Sequence, residues 1–171
     1  MKKLLILAVA LLASFPASAE TGIFKLSLWD KTAIATPRNT HDITGIDFGI
    51  GSKTDTVTGV QMDLVFAQTE YELKGASFAW IINLANEVYG AQFGLLAKAE
   101  NSTGAQLGFV NISNRAISGV QFGLFNQAEY VRGAQVGFVN YARTIEGLQV
   151  GILNIAENGW FPAMVLVNGR F

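Results

Sequence analysis

The stretch that decides the fold runs from Gly90 to Asn154 and repeats one short pattern. Its five copies read GAQFGLLA (90–97), GAQLGFVN (104–111), GVQFGLFN (119–126), GAQVGFVN (133–140) and GLQVGILN (147–154). The glycines that open these copies are 14, 15, 14 and 14 residues apart. A period this short indicates one small structural unit that is used many times.

Residues alternate in character within each copy. In 104–111, Ala105, Leu107 and Phe109 alternate with Gln106 and Gly108. An alternation with period two predicts a β-strand with one apolar face. A helix is disfavoured, because two glycines in each copy would cost roughly 1 kcal/mol each relative to alanine. Asn and Gly at fixed places also suit the positive-φ corners of tight turns.

We therefore predict an all-β repeat protein whose structural positions are the two glycines, the glutamine and the asparagine of each copy. The first copy has Ala97 in place of the asparagine. The predicted positions are Gly90, Gln92, Gly94, Gly104, Gln106, Gly108, Asn111, Gly119, Gln121, Gly123, Asn126, Gly133, Gln135, Gly137, Asn140, Gly147, Gln149, Gly151 and Asn154.

Two architectures fit this pattern. In a parallel β-solenoid each copy is one coil, and identical residues stack about 4.8 Å apart in hydrogen-bonded columns. In a small antiparallel outer-membrane β-barrel each copy is one strand and a turn, and its apolar residues face lipid. We favour the solenoid, because antiparallel neighbours would not align identical residues. The alternation up to the C-terminal Phe171 is the best argument for the barrel.

Three weaker copies precede the clear ones, so about eight units of 14–16 residues are expected. They open at Gly45, Gly59 and Gly75, and depart from the pattern at Asp47, Asp63, Ser77 and Ala79. Asn83 falls one place late, which suggests a bulge. We predict a single domain over residues 20–171, with an N-terminal cap strand and loop (20–44), the repeats (45–157) and a C-terminal cap strand (158–171).

The N-terminus is typical of an exported protein. Lys2 and Lys3 precede an apolar run, and Ala17-Ser18-Ala19 provides a cleavage site, so residues 1–19 are predicted to be a signal peptide. The predicted location is the periplasm, the outer membrane or the cell surface. Without those residues the net charge is about −3, and the chain contains no cysteine. This charge argues against nucleic acid as a partner.

The G-x-Q-x-G-x-x-N units and the ending with Pro162, Asn168 and Phe171 resemble a family of uncharacterised bacterial surface-repeat proteins. The resemblance covers most of the chain after residue 19 and implies an envelope or surface location. It implies no activity, cofactor or catalytic residue.

Candidate chemistry is sparse. His41 is the only histidine, and its neighbours Asp42 and Asp47, with Asp55 and Asp63, lack the spacing of a known metal motif. Ser77 lies in a pattern close to a nucleophile elbow, but it occupies the glutamine place of its unit. We expect no catalytic, cofactor-binding or metal site.

The sequence thus predicts a non-enzymatic envelope protein that acts as a structural or binding scaffold. The expected partner is an envelope or surface component or a second copy of the chain. The alternative is an outer-membrane barrel that is structural or forms a narrow pore.

Overall fold

The computed structural model describes residues 21–29, 32–35 and 41–171. The predicted signal peptide lies outside these residues, as does residue 20 of the predicted N-terminal cap. Residues 30, 31 and 36–40 of the predicted cap and loop also lie outside them.

The described residues form one β-sheet and no helix. The strands are β1 (Thr21–Trp29), β2 (Thr32–Ala35), β3 (Asp42–Ala79), β4 (Ile82–Ala156) and β5 (Ala163–Arg170). They are ordered β2-β1-β3-β4-β5, and β2 and β5 form the two open edges. The all-β prediction is therefore confirmed. Within the described ranges no helix is long and apolar enough to cross a membrane.

Strands β3 and β4 wind back on themselves. β4 has 75 residues, and a straight strand of that length would extend roughly 250 Å at about 3.3 Å per residue. Instead, its units lie against one another. A Cβ atom added to Gly119 would stand 1.9 Å from the carbonyl oxygen of Gly104, and one added to Gly104 would stand 2.0 Å from that of Gly90. The chain therefore returns to an equivalent place after each unit.

These contacts explain the glycine that opens every unit. The opening glycines have φ angles between 126° at Gly75 and 142° at Gly147, a region that residues with a side chain rarely adopt. A side chain would also clash with the preceding unit's backbone. The sequence also predicts positive φ angles for the asparagines of the units. This prediction is wrong, since Leu166 is the only non-glycine residue with positive φ in the described part of the chain. The asparagines act through their side chains instead.

The pairing between successive units is parallel and in register where β3 meets β4. Gly75 pairs with Gly90 and Ser77 with Gln92. β1 also pairs with β3 in parallel. β5 is antiparallel to the end of β4, with Asn168 opposite Gln149. Equivalent positions of neighbouring units are thus aligned.

The segment between β1 and β3 is not entirely the loop that the sequence predicts. Residues Thr32–Ala35 form β2, which pairs antiparallel with β1. This short strand gives the backbone groups on one edge of β1 their hydrogen-bond partners, which an exposed edge would lack.

The extra residue before Asn83 is taken up between the two long strands. Trp80 and Ile81 form bends that separate β3 from β4. Asn83 is nevertheless buried and 1% exposed, so the bend restores the inward orientation that the late spacing would have lost.

The interior contains the polar half of the alternating pattern. Gln106 is fully buried, whereas Phe109 is 57% exposed. Alanine and branched aliphatic residues from the second part of each unit also fill the interior. They form two separate apolar clusters, one around Val57, Leu73 and Val88 and the other around Ile117, Val131 and Ile145.

Candidate functional site

The buried glutamines form one hydrogen-bonded column. Nε2 of each glutamine after Gln92 donates to Oε1 of the glutamine one unit earlier. These bonds run from Gln149 to Gln135 (2.7 Å), from Gln135 to Gln121 (2.7 Å), from Gln121 to Gln106 (2.8 Å) and from Gln106 to Gln92 (3.0 Å). The second hydrogen of each of these four donors is used within its own unit; that of Gln149, for example, goes to the carbonyl oxygen of Ile155 (3.0 Å). Gln92 donates instead to Oδ1 of Asn83 in the preceding unit (3.2 Å). All five side chains are fully buried, and a buried amide is costly unless it is bonded in this way.

The asparagines form a second column. Asn111 donates from Nδ2 to Oδ1 of Asn126 (2.8 Å), Asn126 donates to Asn140 (2.8 Å) and Asn140 donates to Asn154 (2.7 Å). Each of the first three also donates to a main-chain oxygen of the next unit, as Asn126 does to Val136 (3.0 Å).

The two columns run in opposite directions. Each glutamine donates towards the N-terminal end of the stack, and each asparagine donates towards the C-terminal end. The oxygen that ends each column is buried without a hydrogen-bond partner, namely Oε1 of Gln149 and Oδ1 of Asn111.

A buried charged cluster lies at the N-terminal end of the glutamine column. Lys25 and Asp47 form an ion pair (Nζ to Oδ2, 3.7 Å) in which the lysine is 5% and the aspartate 0% exposed. Thr54 accepts a hydrogen bond from Lys25 (2.7 Å) and donates to Asp47 (2.6 Å). Gln61 donates to Ser52 (2.7 Å) and, more weakly, to Asp47 (3.4 Å). The glutamines of the column therefore donate their hydrogen bonds in the direction of the Asp47 carboxylate.

Asp63 is the second carboxylate of this cluster. It occupies the place of the second glycine in its unit and accepts a hydrogen bond from Ser52 at Oδ2 (2.7 Å), while its Oδ1 has no partner. Burial raises the pKa of Asp63 to about 7, against the opposing effect of the Ser52 hydrogen bond. Burial likewise lowers the pKa of Lys25, although Asp47 opposes this.

The cluster is enclosed, and most of its polar atoms are bonded to one another. Among the described residues no three His, Cys, Asp or Glu side chains are placed to hold a metal ion. We therefore interpret the cluster as the end of the polar interior.

The surface next to the glutamine column is apolar along the whole stack. Two outward-facing columns flank the second glycine of each unit; we call them together the apolar face. The first contains Phe48, Met62, Phe78, Phe93, Phe122, Val136 and Val150, and the second contains Leu64, Trp80, Leu95, Phe109, Leu124, Phe138 and Ile152. Phe78 and Phe93, one unit apart, stack with ring centroids 4.4 Å apart.

A groove of about 1240 Å³ runs between these two columns. The main chain at the second glycine of each unit forms part of its floor; these glycines are Gly94, Gly108, Gly123, Gly137 and Gly151. A side chain there would not enter the groove, since a Cβ atom on Gly123 would stand 2.2 Å from the carbonyl oxygen of Gly108 and 2.5 Å from the buried amide of Asn111. Among the residues that the structure describes, Asp63 is the only ionisable one that lines the groove, and its carboxylate is directed inward to Ser52. The apolar face is our candidate functional site.

The other residues singled out in the sequence do not converge. His41 is exposed, whereas Asp47 is fully buried. Ser77 is buried, and its hydroxyl is hydrogen-bonded to Gln61 (3.0 Å) and Asn83 (3.1 Å). Ser77 thus belongs to the polar interior.

Sequence reasoning missed Lys25 and the joint role of Asp47 and Asp63. The signal was present, because both aspartates stand in repeat positions that are Gln or Gly elsewhere. Only the barrel alternative placed the apolar half of the pattern outward, and for the solenoid the sequence did not predict which half would face inward.

Comparison of the chain with protein-family models, curated proteins and solved structures finds no match.

Proposed function

We propose that this chain is a parallel β-solenoid that is exported to the cell envelope, where it acts without enzymatic chemistry as a rigid binding scaffold. Its predicted signal peptide and its resemblance to surface-repeat proteins support the location. The apolar face supports the binding role.

The solenoid is supported by three independent features. The units of β3 and β4 pair in parallel with Gly75 opposite Gly90. Glutamines one unit apart are hydrogen-bonded, as Gln121 is to Gln106. The opening glycines of successive units are in contact. An antiparallel barrel would place neither identical side chains nor identical glycines side by side, so the same features weigh against the barrel alternative.

The observation that carries the binding role is the distribution of polar groups. Within the described residues nearly all buried side-chain nitrogen and oxygen atoms are hydrogen-bonded. The only ones without a partner are Oδ1 of Asp55, Asp63 and Asn111, Oγ of Ser102 and Oε1 of Gln149. The outside carries a continuous apolar face far larger than single exposed hydrophobic residues, and such faces mark interaction sites.

The proposed location and fold are tested by fractionating cells that express the full chain, with and without mild detergent. Each fraction is run on a gel with and without boiling. An exported solenoid is recovered as a shortened chain without detergent, and its migration does not depend on boiling.

Recovery only in detergent, with a band that shifts on boiling, would establish the barrel instead. Recovery of the uncleaved chain in the cytoplasm would overturn the export proposal.

A further inference from the structure

We propose that the apolar face is an interface with a second copy of this chain, so that two stacks pack face to face around a twofold axis. This inference rests on the proposed solenoid scaffold and names its partner.

The area of the face fits a dimer. Most of its side chains are substantially exposed, from 37% at Val150 to 75% at Trp80, and Phe93 and Val136 are half-buried. Since a large apolar side chain presents about 150–250 Å² when fully exposed, the face exposes on the order of 1,000 Å². The largest apolar patch of a monomer is about 300–600 Å², and a stable interface needs about 800 Å² on each partner.

The shape of the face is complementary to itself. The two columns of large side chains flank the groove over a length of roughly 35 Å, at about 4.8 Å per unit. When one copy faces another, a column of side chains of the first copy can enter the groove of the second. A twofold interface uses the same patch on both subunits, which requires this kind of self-complementarity.

The charges favour a second copy over a lipid surface. Among the described residues Asp63 is the only ionisable one that lines the groove, and its buried carboxylate is directed inward to Ser52, so two such faces would bring no exposed charges together. The charged residues in the second part of each unit form another surface, which we call the polar side and which includes Glu129. There, arginines pair with glutamates of neighbouring units, as Arg115 does with Glu100 (3.7 Å) and Arg143 with Glu157 (3.9 Å). An anionic membrane would attract unpaired basic residues around the face, and the paired arginines do not provide them.

The test uses the exported chain, purified without detergent, in light scattering coupled to size exclusion. We expect twice the monomer mass for the wild type. We expect the monomer mass for Phe109→Ser combined with Phe138→Ser, because the loss of central apolar anchors weakens an interface by about 30-fold or more. The matched control, Glu129→Ser on the polar side, remains dimeric.

A second measurement covers the case in which the double variant does not fold. The chain has no cysteine, so Phe109→Cys, near the middle of the stack, provides a single thiol. Mild oxidation should link two copies through it, whereas Glu129→Cys should stay monomeric on a non-reducing gel.

A wild type that is monomeric at micromolar concentration would overturn the proposal. So would binding to phosphatidylcholine vesicles that is lost in the Phe109→Ser, Phe138→Ser variant, since lipid would then be the occupant. In both outcomes the proposed exported scaffold would stand, because its own test is the fractionation.

Discussion

Asn111 begins the asparagine column because Ala97 occupies the equivalent position one unit earlier. Ala97 is fully buried and has no amide to donate, so Oδ1 of Asn111 is left buried without a partner. Every other column asparagine accepts a bond from the one before it, as Asn126 accepts from Asn111. A single alanine in the sequence therefore fixes where the column starts.

This relationship predicts that the cost of removing an asparagine depends on its place. Asn126→Ala would leave an amide hydrogen of Asn111 and Oδ1 of Asn140 without partners. Within the column, Asn111→Ala would leave only Oδ1 of Asn126 without a partner and would also remove an oxygen that is already unpaired. Each variant also loses one bond to a main-chain oxygen of the next unit, that of Val136 or of Phe122. We expect the free energy of unfolding to fall further for Asn126→Ala by about 1–3 kcal/mol, as measured by urea titration. Equal losses would contradict the column.

The glutamine column likewise predicts that a central residue matters more for stability than the terminal one, which here is Gln149 at the C-terminal end. Gln121→Leu should destabilise the fold by about 1–3 kcal/mol, because Gln106 and Gln135 both lose a partner. Gln149→Leu should cost less, since within the column only Gln135 loses a partner and the unpaired Oε1 disappears. Each variant also loses one bond to a main-chain oxygen of its own unit. Thermal unfolding of both variants checks this, and wild-type behaviour of Gln121→Leu would refute the column.

Ser102 interrupts the apolar column that lies two residues before each opening glycine. Val88 and Ile117 hold the equivalent places on either side and belong to separate apolar clusters. Ser102 is 2% exposed, and its hydroxyl has no partner. We expect Ser102→Val to raise the free energy of unfolding by about 1–2 kcal/mol, because it buries methyl groups and removes an unpaired hydroxyl.

Ser113 provides the matched control for this substitution. It is equally buried, but its hydroxyl donates to Oε1 of Gln106 (3.0 Å). Ser113→Val should therefore destabilise the protein. If both variants shift the melting temperature in the same direction, the difference between the two hydroxyls does not matter.

Asp63 predicts a pH dependence of stability. Its pKa is about 7 in the folded protein and about 4 in an unfolded chain. Because the folded state binds the proton more tightly, the contribution of Asp63 is complete below pH 4 and is lost as the pH rises to about 7. The melting temperature should fall across this window, and Asp63→Asn should flatten the fall.

A substitution at the exposed Glu129 serves as the control and should leave the slope unchanged. An Asp63→Asn variant with the wild-type slope would show that another group causes the dependence. Lys25, whose pKa is lowered, acts in the opposite sense, since its contribution grows as the pH rises towards the ordinary lysine value.

The sequence was informative wherever one position had one role. The spacing of the opening glycines and the column of Gln106, Gln121 and Gln135 both predict aligned neighbours, and the contacts show that alignment. The alternation predicts strands, because a period of two is a property of the backbone itself.

The sequence could not say which side of the strands faces inward. Alternation is symmetric, and the usual rule would bury Phe109 and expose Gln106. The buried amide column reverses this, because aligned glutamines such as Gln106 and Gln121 satisfy one another's hydrogen bonds. The Lys25–Asp47 pair was also hidden, since it joins residues from different strands and Lys25 lies outside the repeats.

The central claim, that each unit is one coil of a parallel stack, is tested most directly by distances between spin labels. Cysteines introduced in pairs at Glu100 with Glu129, Arg143 or Glu157 carry the labels, since these residues occupy equivalent places two, three and four units apart. A parallel stack predicts backbone distances of about 10, 14 and 19 Å, rising by about 4.8 Å per unit. Distances that alternate between short and long would contradict it, because equivalent residues would then lie at opposite ends of antiparallel strands.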